Sequence, residues 1–568
     1  MLQKSLHFIF LFITALCCAQ TSYYVKQNSG SNGNNGTSPD SPFKTIERAL
    51  DELDPGDTLF IMGAYKNDSY INDYSYSGDI NDPHIWHQEN TIRINNLNGT
   101  PDNYISIKGY EGNTRIKGDG ANLFRVTNSS YLNIEDFELR GEVPNIPLST
   151  ALALQFLYRE SGSTNTLYRV QPGTTDEDVE NMTFPVLNNV SRPSYTDTRG
   201  FYFSNVHHIN FRNNDVHDTP GNGFRVQGCD YITIENNKVY NNSRKSYSGT
   251  HGLVVTNADS FDTETGHKIF IRNNEVYDNY NEIYSWAPSK TIITPRIDEG
   301  KGISLQRNDI ANGWTHGRFL VTNNITYGNG FSGLHSNTGV RIDFVNNTAY
   351  LNSYTNSVTY ADDPQGRNIG ISAQGGSDNK IINNIIYIDS GWGGFPISLA
   401  NEDNAEVRNN VIFGINGTLT QDNDVTGIAV NTIEANPLFE DADNADFNLQ
   451  ENSPAIGEAD TAFAPEEDYF GNARDDNPDI GAVEFGANLS VEDAVLASVS
   501  VYPNPFTDQL TLATNNTIVS VAVYNILGQE IKVPTTIENN KATIRTSHLN
   551  SGVYFVSANG EVNKVIKQ

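Results

Sequence analysis

The chain is poor in cysteine, in basic residues and in long apolar runs. It has three cysteines among 568 residues, and two of them, Cys17 and Cys18, lie in the N-terminal apolar segment. If that segment is removed, Cys229 alone remains, so an internal disulfide is excluded and stability must come from burial and hydrogen bonds. Lys and Arg number 37 against 68 acidic residues, a formal net charge of −31. Such a charge argues against nucleic acid or anionic membranes as partners.

The N-terminus predicts export. Its apolar run from Leu6 to Ala15 is too short to span a bilayer, and small residues follow it. We therefore predict a signal peptide over residues 1–20, cleaved after Gln20. A lipoprotein signal is the alternative because of Cys17 and Cys18, although the preceding residues 14–16 fit a lipobox poorly. No later segment approaches membrane-spanning length.

What the sequence has in abundance is a repeated phrase, an apolar-alternating strand that ends in an asparagine pair. Strand residues alternate between core and solvent, and asparagines at a turn can hydrogen-bond to their counterparts one coil above and below. The repeat predicts an all-β fold, a right-handed parallel β-helix over residues 21–487. The pairs are Asn213-Asn214, Asn236-Asn237, Asn273-Asn274, Asn323-Asn324, Asn346-Asn347, Asn383-Asn384 and Asn409-Asn410.

Three other stretches depart from the repeat. An amphipathic helix beginning at Pro42 is expected to cap the first open coil. The proline-containing residues 142–199 lack periodicity and predict one large excursion outside the coils. After Gly486, short alternating strands separated by turn residues predict a small C-terminal β-sandwich over residues 488–568.

Particular motifs resemble known families. The opening YYVKQNSG with SPFKTIERALDELDPGDTLFI, the coils, and the ending SPAIGEAD with DIGAVEF resemble secreted right-handed parallel β-helix proteins of the pectate-lyase-like superfamily. The tail motifs YPNPF, VYNILGQE and GVYFV resemble the C-terminal sorting domain of type IX secretion in Bacteroidetes. The resemblances imply a protein that is secreted or held at the cell surface, handled by the secretion machinery through its tail.

A glycine recurs in a short strand of each coil, and it allows the coils to be aligned and their lengths compared. The shortest coil has 23 residues, and the coils of Gly252 and Gly302 are lengthened on both sides of their glycine strand. Insertions in solenoids collect on the binding face, so these loops predict a groove. Stacked strands lie about 4.8 Å apart, which puts His251 and Lys301 about 5 Å apart and Asn222 one coil away. A lysine is costly to bury, so we expect Lys301 at the groove's edge.

The resemblance implies the chemistry of a polysaccharide lyase. Residues 222–251 and 287–318 each carry a net charge of +2 in an acidic chain, which suits a uronate-containing polysaccharide as partner. Such lyases remove the proton beside a uronate carboxylate. Lys301 is the first candidate for the base, and His251, His335 and Arg225 are candidates for base, acid or carboxylate binder. Candidate substrate-binding residues are Asn222, Arg296, His316, Arg318, Trp286 and Trp314.

A calcium site is a further expectation. Asp298, Glu299 and Asp309 cluster around Lys301 in sequence, and Ca²⁺ prefers several oxygen ligands. No tight multi-aspartate loop accompanies them.

Three alternatives stay open. Glycoside hydrolases of the polygalacturonase type carry an Asp-Asp pair and a Gly-His-Gly, whereas this chain has Gly266-His267-Lys268 and places Asp362-Asp363 before a proline. Hydrolysis needs two facing carboxylates, and the aligned columns supply none. A uronate dehydratase or isomerase would show much the same sequence. A non-catalytic adhesion β-helix would need only the fold.

Overall fold

The computed structural model describes residues 20–154, 157–160, 166–168, 190–191, 193–246, 248–283, 299–353, 368–389, 394–414, 430–486, 500–514, 518, 520–525, 531–558 and 561–568. Of the predicted signal peptide, only Gln20 is among these residues. Within them, no helix is long and apolar enough to cross a membrane. The chain divides into two compact units, Met1–Phe485 and Gly486–Gln568.

The first unit is a parallel β-helix whose coils have three faces. The first and second faces belong to one sheet because three long strands, Asn122–Glu135, Arg199–Arg212 and Phe224–Glu235, bend through the corner between them. The other first-face strands are Asn90–Asn95, Leu253–Thr256, Ile303–Gln306, Ser332–Asn337, Asn368–Gln374 and Gly394–Ser398. The other second-face strands are Ser22–Val25, Thr58–Ile61, Ile105–Gly109, His267–Arg272, Arg318–Thr322, Ile342–Val345, Lys380–Ile382 and Glu406–Arg408.

The third face is a separate parallel sheet of short strands. Tyr240, Tyr277 and Tyr327 stack on its surface with ring centroids 4.8 and 4.7 Å apart. The strands are Ala64–Tyr65, Arg115–Lys117, Glu138–Arg140, Asp215–His217, Lys238–Tyr240, Glu275–Tyr277, Ile325–Tyr327, Thr348–Tyr350, Ile385–Tyr387, Val411–Phe413 and Ile433–Glu434.

The two asparagines of each pair have different roles at the corner between the second and third faces. The first asparagine of each pair takes a left-handed backbone conformation, with φ between 51° and 59°, which Asn adopts more readily than most residues. The second is buried and forms the ladder that its spacing predicts. In Asn274, for example, Nδ2 donates to Oδ1 of Asn324 at 2.9 Å, and Oδ1 accepts from Nδ2 of Asn237 at 3.0 Å. The ladder fixes the register of successive coils.

A second ladder, which the sequence analysis missed, runs along the corner between the third and first faces. Asn242, Asn279, Asn329 and Asn352 are linked by amide hydrogen bonds of 2.9–3.0 Å. These asparagines follow each third-face strand by two residues. They lie where the chain leaves the third face toward the next coil, so the two ladders together hold both ends of the third face.

The N-terminal helix is shorter than expected. It spans Ile46–Leu50, and Thr45 caps it by accepting a hydrogen bond from the main-chain N–H of Arg48. Pro42 therefore precedes the helix, and Phe43 instead pairs with Val25 as an isolated bridge. Ile46 and Ala49 are buried in the core beneath the first coil, so the segment still closes that end.

The excursion and the closing region add smaller elements. Around the predicted excursion lie the helices Pro83–Trp86 and Leu148–Leu154, the 3₁₀ helix Val143–Asn145 and an antiparallel sheet of Leu157–Glu160, Thr166–Tyr168 and Val190–Ser191. Ile85, Trp86, Ala151, Leu154 and Leu157 of these elements belong to a hydrophobic cluster separate from that of the coils. Further 3₁₀ helices span Ile310–Asn312 and Ala442–Asn444, and a hairpin pairs Phe439–Asp441 with Asp446–Leu449.

The second unit has two antiparallel sheets with a core between them. One contains Ser500–Tyr502, Gln509–Ala513, Lys541–Arg545 and Thr535–Glu538, and the other contains Val521–Tyr524, Gly552–Ala558 and Glu561–Lys567. The sandwich that the alternating pattern predicts is therefore present.

Candidate functional site

The residues that precede the coil glycines form a continuous column on the first face. The main-chain N–H of His251 donates to Oδ1 of Asn222 at 2.9 Å, and the main-chain N–H of Lys301 points at Nδ1 of His251 at 3.3 Å. Leu253 pairs with Ile303 in the strand register. Counting from the glycines thus identifies residues that are 50 apart in the chain and adjacent in space.

Lys301 is buried rather than at the edge of a groove, with 5% of its surface exposed. Its Nζ lies 2.8 Å from Oε2 of Glu299 and 4.7 Å from the centre of the Phe331 ring. The ion pair and the ring face offset the cost of removing the ammonium from water. The expectation of a rim position failed because it considered the lysine without these two partners.

His251 lies beside the same carboxylate. It is 1% exposed, and its Nε2 is 2.8 Å from the side-chain amide nitrogen of Gln306 and 3.5 Å from Oε2 of Glu299. Its Nδ1 faces the main-chain N–H of Lys301, so both ring nitrogens lie within reach of polar groups of the next coil. Glu299 therefore stands between an ammonium and an imidazole that come from two successive coils.

His335 extends the cluster by one coil. It is 2% exposed, its Nδ1 is 2.5 Å from Oγ of Ser372, and its ring meets Phe331 edge-on at 5.9 Å. Burial, followed by the nearby charges of Lys301 and His251, holds the pKa of His335 well below its usual range. The ring of His335 is therefore neutral at pH 7. It could accept a proton, but it does not carry the second proton that an imidazolium could donate.

Arg225 lies in a cleft of about 300 Å³ on the same face. Its Nε donates to Oε1 of Gln227 at 3.0 Å. Burial and the neighbouring charge of Arg199 lower the pKa of Arg225 to about 10, so it remains cationic at neutral pH. Asn222 and Thr250 also line this cleft. Thr250 directly precedes His251 in the chain, so His251 follows the residue at the edge of the cleft.

The cleft contains residues that the sequence analysis did not single out. Arg199 and Tyr202 line it, and the guanidinium of Arg199 lies 5.5 Å from the centre of the Tyr202 ring. Arg125 also approaches that ring, at 5.9 Å from its centre. Tyr202 pairs with both Arg125 and Arg225 in the strand register. Extending the glycine column one coil toward the N-terminus, to Gly200, would have found Tyr202.

Three predicted substrate-binding residues lie elsewhere. Trp314 is fully buried, packs on Phe319 at 4.9 Å and lies beneath Nζ of Lys268, so it offers no face to a sugar. Arg318 belongs to the second face and pairs with Asp343 and Asp378 at 2.5 and 2.7 Å. His316 is half-buried near that face and contacts Oγ1 of Thr315 at 3.0 Å. These positions correct the expectation that the insertion carrying them would wall the groove.

The predicted calcium ligands do not converge where the structure describes them. Asp309 caps the 3₁₀ helix Ile310–Asn312 through the N–H of Asn312, and Glu299 is engaged by Lys301. Among the described residues, no three His, Cys, Asp or Glu side chains lie close enough to hold a metal ion. Asp298, together with the predicted sugar-binding residues Trp286 and Arg296, lies outside the described residues.

Two family models match parts of the chain. One, described as a right-handed β-helix region, matches residues 199–321, and one described as a secretion system C-terminal sorting domain matches residues 500–568. A curated relative, the ulvan lyase NLR42 of Nonlabens ulvanivorans, is 35% identical over 78 residues, or 14% of this chain. The chain spans 15% of the length of that relative.

Solved structures with similar architecture include carbohydrate-active proteins. The pectate lyase Pel9A is 15% identical, with a TM-score of 0.42 over 82% of this chain and 96% of its own. The A-module of the mannuronan C-5 epimerase AlgE4 of Azotobacter vinelandii is 16% identical, with a TM-score of 0.36 over 67% and 87%. None of these similarities carries a substrate or an activity to this chain. The protein is a right-handed parallel β-helix with a C-terminal sorting domain of type IX secretion, exported to the cell surface or the extracellular space.

Proposed function

We propose that the protein is a polysaccharide lyase that cleaves a uronate-containing polysaccharide by β-elimination. The observation that carries the proposal is the convergence of Lys301, Glu299 and His251 on the face that also holds the cationic cleft around Arg225. A cationic cleft on a protein of net charge −31 favours an anionic chain locally while the rest of the surface repels it. Buried ionisable groups beside a cleft are typical of active sites.

In the proposed reaction, Lys301, Glu299 and the two arginines of the cleft have separate tasks. Arg225 and Arg199 bind the uronate carboxylate and stabilise the negative charge that develops when the neighbouring carbon loses its proton. Lys301 passes a proton to Glu299 and, as a neutral amine, removes that carbon-bound proton. The bond from the adjacent carbon to the glycosidic oxygen then breaks, a carbon–carbon double bond forms, and the departing oxygen takes from Glu299 the proton that Lys301 had passed to it.

Two substitutions of Lys301 test this assignment on uronate polymers such as pectin, alginate and ulvan. An alanine removes the amine, and an arginine keeps the cation but cannot act as a base near neutral pH. We expect both Lys301→Ala and Lys301→Arg to lower kcat by about 10²–10⁴-fold, the usual contribution of a general base. Ultraviolet absorbance of the unsaturated product measures the rate. Lys238→Ala is the matched control, because Lys238 is exposed on the third face.

The outcomes separate the alternatives. Full activity of Lys301→Ala would remove Lys301 from the reaction, and activity retained only by Lys301→Arg would make it a charge partner instead of the base. New reducing ends without absorbance would indicate a hydrolase. Binding without any product, from every polymer tested, would favour an adhesion protein.

Arg225 is tested by substrate affinity. We expect Arg225→Ala to raise KM at least about tenfold, which corresponds to about 1.4 kcal/mol, because a charge-assisted hydrogen bond to the carboxylate is lost. Arg115→Ala, an exposed third-face arginine, is the control. An unchanged KM would place the carboxylate elsewhere. Calcium is tested in the same assay: loss of activity on chelation and recovery with Ca²⁺ would add a Ca²⁺ site that includes Asp298, Glu299 or Asp309.

A further inference from the structure

A second cleft, away from the cationic one, opens at the corner between the second and third faces. It has a volume of about 520 Å³ and lies between the coils and the segment 465–471, which belongs to the closing region of the first unit. The coils contribute Glu235, Asn236, Arg272, Asn273 and Thr322 to its lining, and the closing region contributes Phe470.

The cleft exists because the closing region covers only part of the row of first asparagines. Asn323 donates to the carbonyl of Glu467 at 2.7 Å, and Asn346 and Asn383 bind other carbonyls of the same region. Asn236 and Asn273 belong to the two preceding coils, where the closing region does not cover the row of first asparagines. Within the described part of the chain, their side-chain amides have no hydrogen-bond partner. Two amides one coil apart are therefore presented side by side to the cleft.

One aromatic side chain of the cleft is suited to a ligand. Phe470 is 53% exposed where it lines the cleft, and it is held by an edge-on contact with Tyr469, whose ring centre is 5.0 Å away. Thr322 is 3% exposed, and its hydroxyl is enclosed by protein, so this residue shapes the wall of the cleft and does not itself contact a ligand.

The charge of this cleft is opposite to that of the cleft around Arg225. Glu235, Glu466 and Glu467 line it against a single cation, Arg272, which is held by Glu235 at 2.6 Å. A uronate would meet net negative charge here and would be repelled. An apolar ring face beside unpaired amides instead suits a ligand with alternating C–H and O–H groups and no charge.

We infer that this cleft is a binding site for a neutral polysaccharide chain, separate from the proposed catalytic site. Phe470 stacks on the C–H face of a sugar ring, while Asn236 and Asn273 bind its hydroxyls. The inference does not depend on the proposed reaction, because binding here needs neither Lys301 nor Arg225. It gives the protein a means to hold neutral glycan while an acidic chain occupies the first face.

Affinity electrophoresis in gels containing xyloglucan, galactan, mixed-linkage β-glucan or alginate tests the site. We expect the wild-type protein to be retarded by at least one neutral polymer, and Phe470→Ala to weaken that binding at least about tenfold. Asn273→Gly should weaken it as well, since glycine keeps the left-handed backbone of Asn273 and removes only the amide. Phe261→Ala is the matched control, because Phe261 is 56% exposed at another corner of the coil.

Retention of Lys301→Ala equal to that of the wild type would support a site separate from catalysis, whatever the activity proves to be. The inference is overturned if no neutral polymer retards the wild-type protein, or if Phe470→Ala and Asn273→Gly migrate as the wild type does. Retardation by alginate alone would also overturn it, since the cationic cleft around Arg225 accounts for that binding and no neutral polymer would be held.

Discussion

At the scale of single residues, a stack of rings at one corner of the coil partly buries a histidine and lowers its pKa. Tyr131, His208 and Tyr231 occupy equivalent corner positions with φ of 56°, 55° and 52°, and their rings stack at 4.5 and 4.3 Å. Burial, followed by the neighbouring His207, lowers the pKa of His208 to about 4. The ring thus stays neutral under conditions where a histidine in an unfolded chain, with a pKa of about 6.5, is protonated.

This residue predicts a pH dependence of stability. As the pH falls from about 6.5 toward about 4, the unfolded chain binds a proton that the folded chain does not, so the free energy of unfolding decreases. His208→Tyr removes the titration and continues the tyrosine stack with a residue that both neighbours show to fit. We expect the variant to lose less stability than the wild type between pH 7 and pH 4.5, as measured by chemical denaturation.

The control for that measurement is His84→Gln, which alters an exposed histidine. Equal losses of stability for His208→Tyr and the wild type would contradict the assignment of this pH dependence to His208.

At the scale of elements, the ladder formed by the second asparagine of each pair links the strands of one coil to those of the next coil. Asn274 donates to the carbonyls of Ile234 and Arg272 and to Asn324, while its Oδ1 accepts from both the main-chain and the side-chain N–H of Asn237. All of these bonds are buried or partly buried. One side chain therefore satisfies main-chain groups on strands of adjacent coils.

Replacing Asn274 with alanine tests the ladder. The carbonyl of Ile234 and the N–H of Asn237 lose this partner, and each buried polar group left unsatisfied costs about 1–3 kcal/mol. We expect Asn274→Ala to lower the midpoint of guanidinium unfolding clearly. Asn236→Gly is the matched control, since glycine retains the left-handed backbone of this exposed first asparagine. Equal midpoints for the two variants would show that the ladder does not stabilise the coils.

At the scale of the whole molecule, the two units have separate cores. The apolar clusters of the β-helix contain only residues before Gly486, and the cluster of the sorting domain contains only residues after Ser500. A unit with its own core can fold alone. The division at Phe485 therefore also separates the β-helix from the unit that matches a secretion sorting domain.

Truncation after Phe485 tests this division. In the native host, we expect the truncated chain to accumulate inside the cell envelope while the full chain reaches the surface or medium. Purified, the truncated chain should keep the catalytic rate and unfolding midpoint of the β-helix. Export of the truncated chain at the level of the full chain would show that the tail is dispensable for secretion. Loss of the unfolding transition would show that the units depend on each other.

The sequence by itself determined the fold, the register and the pairing of His251 with Lys301, because every coil repeats the same glycine strand and asparagine pair whatever the length of the loops between them. It also identified the sorting domain through its motifs. Only the tertiary structure decided which side chains are buried and paired. The ammonium of Lys301 is held by Glu299 and Phe331, Trp314 is in the core, and Tyr202 joins Arg225 across the sheet. The physical reason is that burial and charge pairing depend on loops and on neighbouring coils, whose separation along the chain varies with every insertion.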